Sequence, residues 1–117
     1  MDLLVKPLTG ILGLVLTIAG IAGFFVGSGM LFGFQIDTTH NVIHILSGVI
    51  GLAAYGSSQL ASRRYLLLIG IVYAVIAIIG FTMDGNIVGM FMVNMADNWL
   101  HAVLATACLV VSLGSGK

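Results

Sequence analysis

Residues 65–81 read YLLLIGIVYAVIAIIGF, and this stretch decides the fold. It carries no charge, and a helix drawn through it is apolar on every side. Such a segment is stable only in apolar surroundings, where each backbone amide must bond within its own helix. A run of about 20 predominantly apolar residues crosses a bilayer, and the chain divides into charge-free runs of that order at residues 7–36, 38–62, 65–83 and 98–116. Between and beside them sit the eight formal charges, Asp2, Lys6, Asp37, Arg63, Arg64, Asp84, Asp97 and Lys117, in 117 residues that are 60% apolar and contain no Glu. A soluble domain carries about 25% charged residues; the 7% found here excludes an ordinary water-soluble globule. Balanced charge with no basic run argues against nucleic acid as a partner. The strands of a membrane barrel alternate polar and apolar, which residues 65–81 do not. The sequence predicts an all-α, integral membrane four-helix bundle embedded in the lipid bilayer, a single membrane domain over residues 1–117 with helices at about 8–26, 39–56, 65–82 and 97–113.

The basic residues orient it. Lys6, the pair Arg63-Arg64 and Lys117 fall at the N-terminus, between helices two and three, and at the C-terminus, all on one side of a four-helix chain. The other two loops hold Asp37 and Asp84 and no Lys or Arg. The positive-inside bias places both termini in the cytoplasm and these two loops outside.

Sliding the chain along itself by 57 residues places Gly13 on Gly70, Gly23-Phe24 on Gly80-Phe81, Phe34 on Phe91, Asn41 on Asn98 and His44 on His101. Apolar matches are common in such a composition, so the rare residues carry the comparison. The recurrence of Asn-x-x-His at the same offset as Gly-Phe and the loop Phe indicates an internal duplication, repeat one at 1–57 and repeat two at 58–117. Each repeat is a helix hairpin with an even number of crossings, so both insert the same way up. The expected relation is a pseudo-twofold axis along the membrane normal.

The pattern Asn41-x-x-His44-x-x-x-Gly48-x-x-Gly51, then Arg63-Arg64-Tyr65, the segment Gly70 to Tyr73, and Asp97-Asn98-Trp99-Leu100-His101, resembles a bacterial family of small four-helix membrane proteins known only as a domain of unknown function. Cys108 stands here where the first repeat has the second of its paired glycines. The resemblance implies the architecture and a bacterial inner membrane or its equivalent; it brings no activity.

On a helical wheel Asn41, His44, Ser47, Gly48, Gly51 and Tyr55 share one face, and Asn98, His101, Ala105, Cys108 and Ser112 repeat the arrangement. Small residues let helix backbones approach, and amides or imidazoles then bond across the contact, so these faces are expected to point into the bundle. On a purely structural reading the two Asn-x-x-His elements fix how the hairpins dock, and Asp37 and Asp97 cap helix starts. That reading makes the protein a structural or accessory subunit that packs against a membrane-protein partner or its own copies, with no metal site. The alternative starts from the rarity of ionisable residues in membrane spans. His44 and His101, flanked by Asn41 and Asn98, then bind a haem, another tetrapyrrole or a metal, since imidazole suits such centres. Two metal variants are weaker: Cu(I) on Met83, Met90, Met92 and Met95 beside His101, and a one-sided zinc site on His40 and His44, disfavoured because the counterpart of His40 is Asp97. Enzymatic activity is not expected, as no nucleophile lies in a triad arrangement and no glycine-rich loop follows a strand. The outer loops are unusually apolar, and Phe34 and Phe91 are expected to cover the histidines.

Overall fold

A computed structural model of the chain describes residues 1–26, 29–31, 33–83 and 85–116. Asp84 and Lys117, two of the eight charges used above, lie outside these. Four helices follow one another: α1 (Asp2–Val26), α2 (Thr38–Ser57), α3 (Gln59–Thr82) and α4 (Met95–Leu113). Among the described residues α1, α3 and α4 are long and apolar enough to cross a membrane; at about 1.5 Å per residue the 24 residues of α3 exceed a hydrocarbon core of about 30 Å. α2 is not one of these three, and the sequence expectation counted it as a fourth span. Its first half carries His40, Asn41, His44 and Ser47, all facing inward.

Two boundaries differ from expectation. α1 begins at Asp2 and α3 at Gln59, each six residues early, so Lys6 and Arg63-Arg64 lie within helices and not before them. Long basic side chains reach past the apolar zone while their stems stay in it, so a charge need not end a helix. The turn from α2 to α3 narrows to Ser58, whose hydroxyl accepts from the Ala61 amide at 2.9 Å. α2 is capped by Asp37, which accepts from the His40 amide at 2.8 Å. α4 is capped by Asn94, and Asp97 completes a capping box as the third helical residue; the expected cap at Asp97 therefore moves back by one turn.

The loops hold two short ribbons absent from the sequence expectation. Between α1 and α2, strand β1 (Gly29–Leu31) pairs antiparallel with β2 (Phe34–Ile36); between α3 and α4, β3 (Asn86–Ile87) pairs with β4 (Phe91–Met92). Both sit at one end of the bundle and are cross-strapped. Gln35 of the first donates its amide to Asp97 and Met92 of the second donates its amide to Asp37, each at 3.0 Å, while the Asn94 side chain donates to the Gly33 carbonyl at 2.8 Å. The opposite end gathers the basic residues: Lys6 lies over the Tyr55 ring, 5.3 Å from its centroid, and Arg63 packs against Gly116.

α1 packs chiefly on α2 and α3 chiefly on α4. Gly13 and Gly48 bring the first pair together: a Cβ on Gly13 would stand 2.8 Å from the Leu52 nitrogen, so a side chain there would push the backbones apart. Tyr65 joins the pairs by donating its hydroxyl to the Ser47 carbonyl at 2.6 Å. The outer surface is apolar on every side, with Ile78, Val103 and Phe25 largely exposed. In water this arrangement would expose what folding is meant to bury; in lipid it has no such cost.

Candidate metal centre

The inward faces of α2 and α4 meet below the ribbons, and three imidazoles come together there. His44 and His101, the pair expected from the repeat, are joined by His40 one turn before His44. Ring centroids lie 4.3 Å apart for His40 and His44 and 5.6 Å apart for His40 and His101. One nitrogen from each of the three falls within 4.8 Å of the others. His40 is 1% exposed and His101 2%. Phe91 covers His40 from the second ribbon at 5.1 Å, and Tyr73 of α3 lies nearly parallel to His101 at 5.3 Å with 13° between the planes.

The hydrogen-bond accounting sets this cluster apart. His40 Nδ1 lies 3.1 Å from the Gln35 carbonyl oxygen. A carbonyl can only accept, so Nδ1 carries the proton and Nε2 keeps its lone pair. That Nε2 has no partner, nor do His44 Nδ1 and both ring nitrogens of His101. A buried polar atom left unpaired costs about 1–3 kcal/mol, and folded proteins pair nearly all of them. Four such atoms lie on three imidazoles, and one nitrogen of each ring is within 4.8 Å of the others.

Three neutral imidazoles suit zinc, copper, iron or nickel. A tetrahedral ion with bonds of about 2.0–2.1 Å holds its nitrogens about 3.4 Å apart, so from within 4.8 Å the nitrogens would draw together by at most about 1.4 Å. His40 arrives with the outer-shell partner typical of a metal-bound histidine, its second nitrogen donating to a backbone carbonyl. A flat macrocycle between His44 and His101 would have to displace the His40 ring, which lies against both.

Asn41 and Asn98, expected beside the ligands, are buried elsewhere. Each aims its side-chain oxygen at a glycine of its own hairpin partner, Asn41 at Gly23 of α1 and Asn98 at Gly80 of α3, so close that neither glycine has room for a Cβ. Neither oxygen has a conventional partner; the glycine Cα–H bonds face them, a weak hydrogen bond of known type. Residues 23 and 80, and 41 and 98, stand 57 apart, so the same contact recurs at the offset of the repeat. The four methionines considered for Cu(I), Met83, Met90, Met92 and Met95, all point outward, and Phe34 is only half-buried. His40 and Tyr73 are the members of the cluster that the repeat did not supply. The signal for His40 was its i, i+4 spacing to His44, which puts both on one helix face.

Residues 6–114 match the sequence model of the family described as Domain of unknown function (DUF4383). No curated protein and no solved structure matches the chain.

Proposed function

The chain belongs to the family described as Domain of unknown function (DUF4383), and from that footing we propose that it is a membrane-embedded metal-binding protein holding one transition-metal ion on His40, His44 and His101. The observation that carries this reading is the convergence of three buried imidazoles, each carrying a ring nitrogen with no hydrogen-bond partner. It is read as a binding protein and not as an enzyme: the lone thiol, Cys108, is sealed in the core, where thiols are inert.

The setting proposed for it is a bacterial inner membrane crossed by all four helices, with α2 shielded on its polar face by the bundle. The termini are read as cytoplasmic, because Lys6, Arg63 and Arg64 lie at the end opposite the ribbons. The ion then sits near the outer surface. A pseudo-twofold axis along the membrane normal is supported by the recurrence of the Gly23–Asn41 contact at Gly80–Asn98.

Metal analysis of the gently solubilised protein, followed by titration with Co2+, tests the binding reading. A four-coordinate nitrogen site gives intense visible d–d bands. Wild type is expected to bind one equivalent, with the bands lost in His44→Ala and His101→Ala. Absence of bound metal and of any Co2+ spectrum refutes it. The accessory-subunit reading has its own support in the exposed apolar tips of the ribbons, Met30, Val88 and Met90, since apolar surface at a membrane boundary suits a partner subunit. Native mass measurement in mild detergent tests that reading, and a lone monomer with no co-purifying subunit counts against it.

A further inference from the structure

We infer that the ion is divalent, that Asp37 and Asp97 balance its charge, and that Asp97 positions His40 through the backbone of Gln35. This rests on the metal-binding reading above and assigns the class of ion.

Three neutral imidazoles bring no charge of their own, and a cation away from water needs compensation nearby. Among the described residues, the ribbon end of the bundle provides two carboxylates, Asp37 and Asp97, and no Lys or Arg. Asp37 accepts from the His40 amide at 2.8 Å. Asp97, 2% exposed, accepts from the amides of Asn94 at 2.9 Å and Gln35 at 3.0 Å. Gln35 in turn takes the His40 Nδ1 proton on its carbonyl. One residue therefore links the Asp97 carboxylate to the ring that presents Nε2 to the cluster, and holding Nδ1 protonated fixes the tautomer that can ligate. The two carboxylates that bond at His40 and Gln35 match the charge of a divalent ion.

Capping does not account for the charges. The position 57 residues beyond Asp37 is Asn94, which caps α4 with an uncharged side chain, and Asn caps as well as Asp. Asp97 sits 57 residues beyond His40, so at matched positions one repeat supplies a ligand and the other supplies the negative charge beside it.

The test uses Asp97→Asn in the full-length solubilised protein, which keeps an amide oxygen for both backbone donors and removes the charge. Affinities are measured for Co2+ by its visible spectrum and for Cu+ by chelator competition. Loss of an outer-shell partner costs about 10–100-fold in metal affinity, and Coulomb energy scales with the charge of the ion. A loss of about 100-fold for Co2+ is therefore expected with one of about 10-fold for Cu+. Equal losses for the two ions would mean that the variant merely loosens the site, and would overturn the inference, as would no loss for either. If wild type binds neither ion, the tri-histidine reading fails and this one with it, so the two failures are distinguishable. Asp37→Asn gives the same two-ion comparison should Asp97→Asn not fold.

Discussion

Replacing His101 with leucine should stabilise the metal-free protein while abolishing its response to metal. Both ring nitrogens of His101 are buried without partners, and at about 1–3 kcal/mol each they cost the folded chain about 2–6 kcal/mol in total. Leucine has nearly the same volume and no polar atom, so it removes that cost. It also removes the parallel contact with Tyr73, worth about 0.5–1.5 kcal/mol. The balance is a net gain of about 0.5–5.5 kcal/mol, favourable across the range. At free Zn2+ one hundred times its dissociation constant, wild type gains about 2.7 kcal/mol, and the variant gains nothing. The assay is reversible unfolding in mixed micelles of increasing SDS fraction, once with EDTA and once with Zn2+. Addition of Zn2+ should narrow the gap between the two proteins by about 2.7 kcal/mol, and invert it where it is smaller than that. If the leucine variant is the less stable one in EDTA, the His101 nitrogens are satisfied in the metal-free protein. There would then be no unmet bonding to draw an ion, and the reasoning fails.

Three further outcomes follow from the packing. Gly23→Ala and Gly80→Ala should each destabilise by about 1–3 kcal/mol through overpacking against Asn41 and Asn98, whereas Gly56→Ala, with nothing within 4 Å of the new Cβ, should stabilise by about 0.5–1 kcal/mol through helix propensity; micelle unfolding reads all three. Asn94→Ala should cost about 1–2 kcal/mol for the lost cap, which Asn94→Asp keeps, and both variants should free the first ribbon by removing the side-chain donor to the Gly33 carbonyl, seen in each as faster amide exchange at residues 33–36 than in wild type. Cys108 should resist maleimide in the folded protein and react fully in SDS, because its thiol is sealed in the core.

The architecture was legible because lipid imposes one strong rule on sequence: an all-round apolar run such as residues 65–81 has few structures open to it. The helix starts were less so, since Lys6 and Arg63 were used as punctuation and the backbone continues through them. The ribbons were not legible at all. Their strands are two or three residues long, too short for an alternation pattern, and their turns rest on local backbone, with Gly33, Val88 and Gly89 at positive φ. At the site, His44 and His101 came from the repeat and lie together. Asn41 and Asn98 came from the same repeat and lie against glycines, because a three-residue step falls about 60° short of a full helical turn, enough to aim the Asn at its own partner helix and the His at the neighbouring hairpin.

His40 shows where a self-comparison is blind. Matching residues at an offset rewards identity, so it finds what duplication copied and discounts what changed afterwards. Around this cluster the changes are informative. His40 faces Asp97 in the comparison, Tyr73 faces Leu16 and Asp37 faces Asn94, and in the structure His40 and Tyr73 both pack on the histidine pair while both acids bond next to His40 or to Gln35. A clamp between two hairpins has no need of such differences; two identical Asn-x-x-His elements would suffice, and every added buried polar atom weakens it unless partnered. A site for one ion does need them, because a twofold arrangement supplies ligands in pairs and a three-coordinate face requires an odd one. The placement of a third imidazole on one repeat and a carboxylate at the matching position of the other is what ligation and charge balance together demand, and what packing alone would select against.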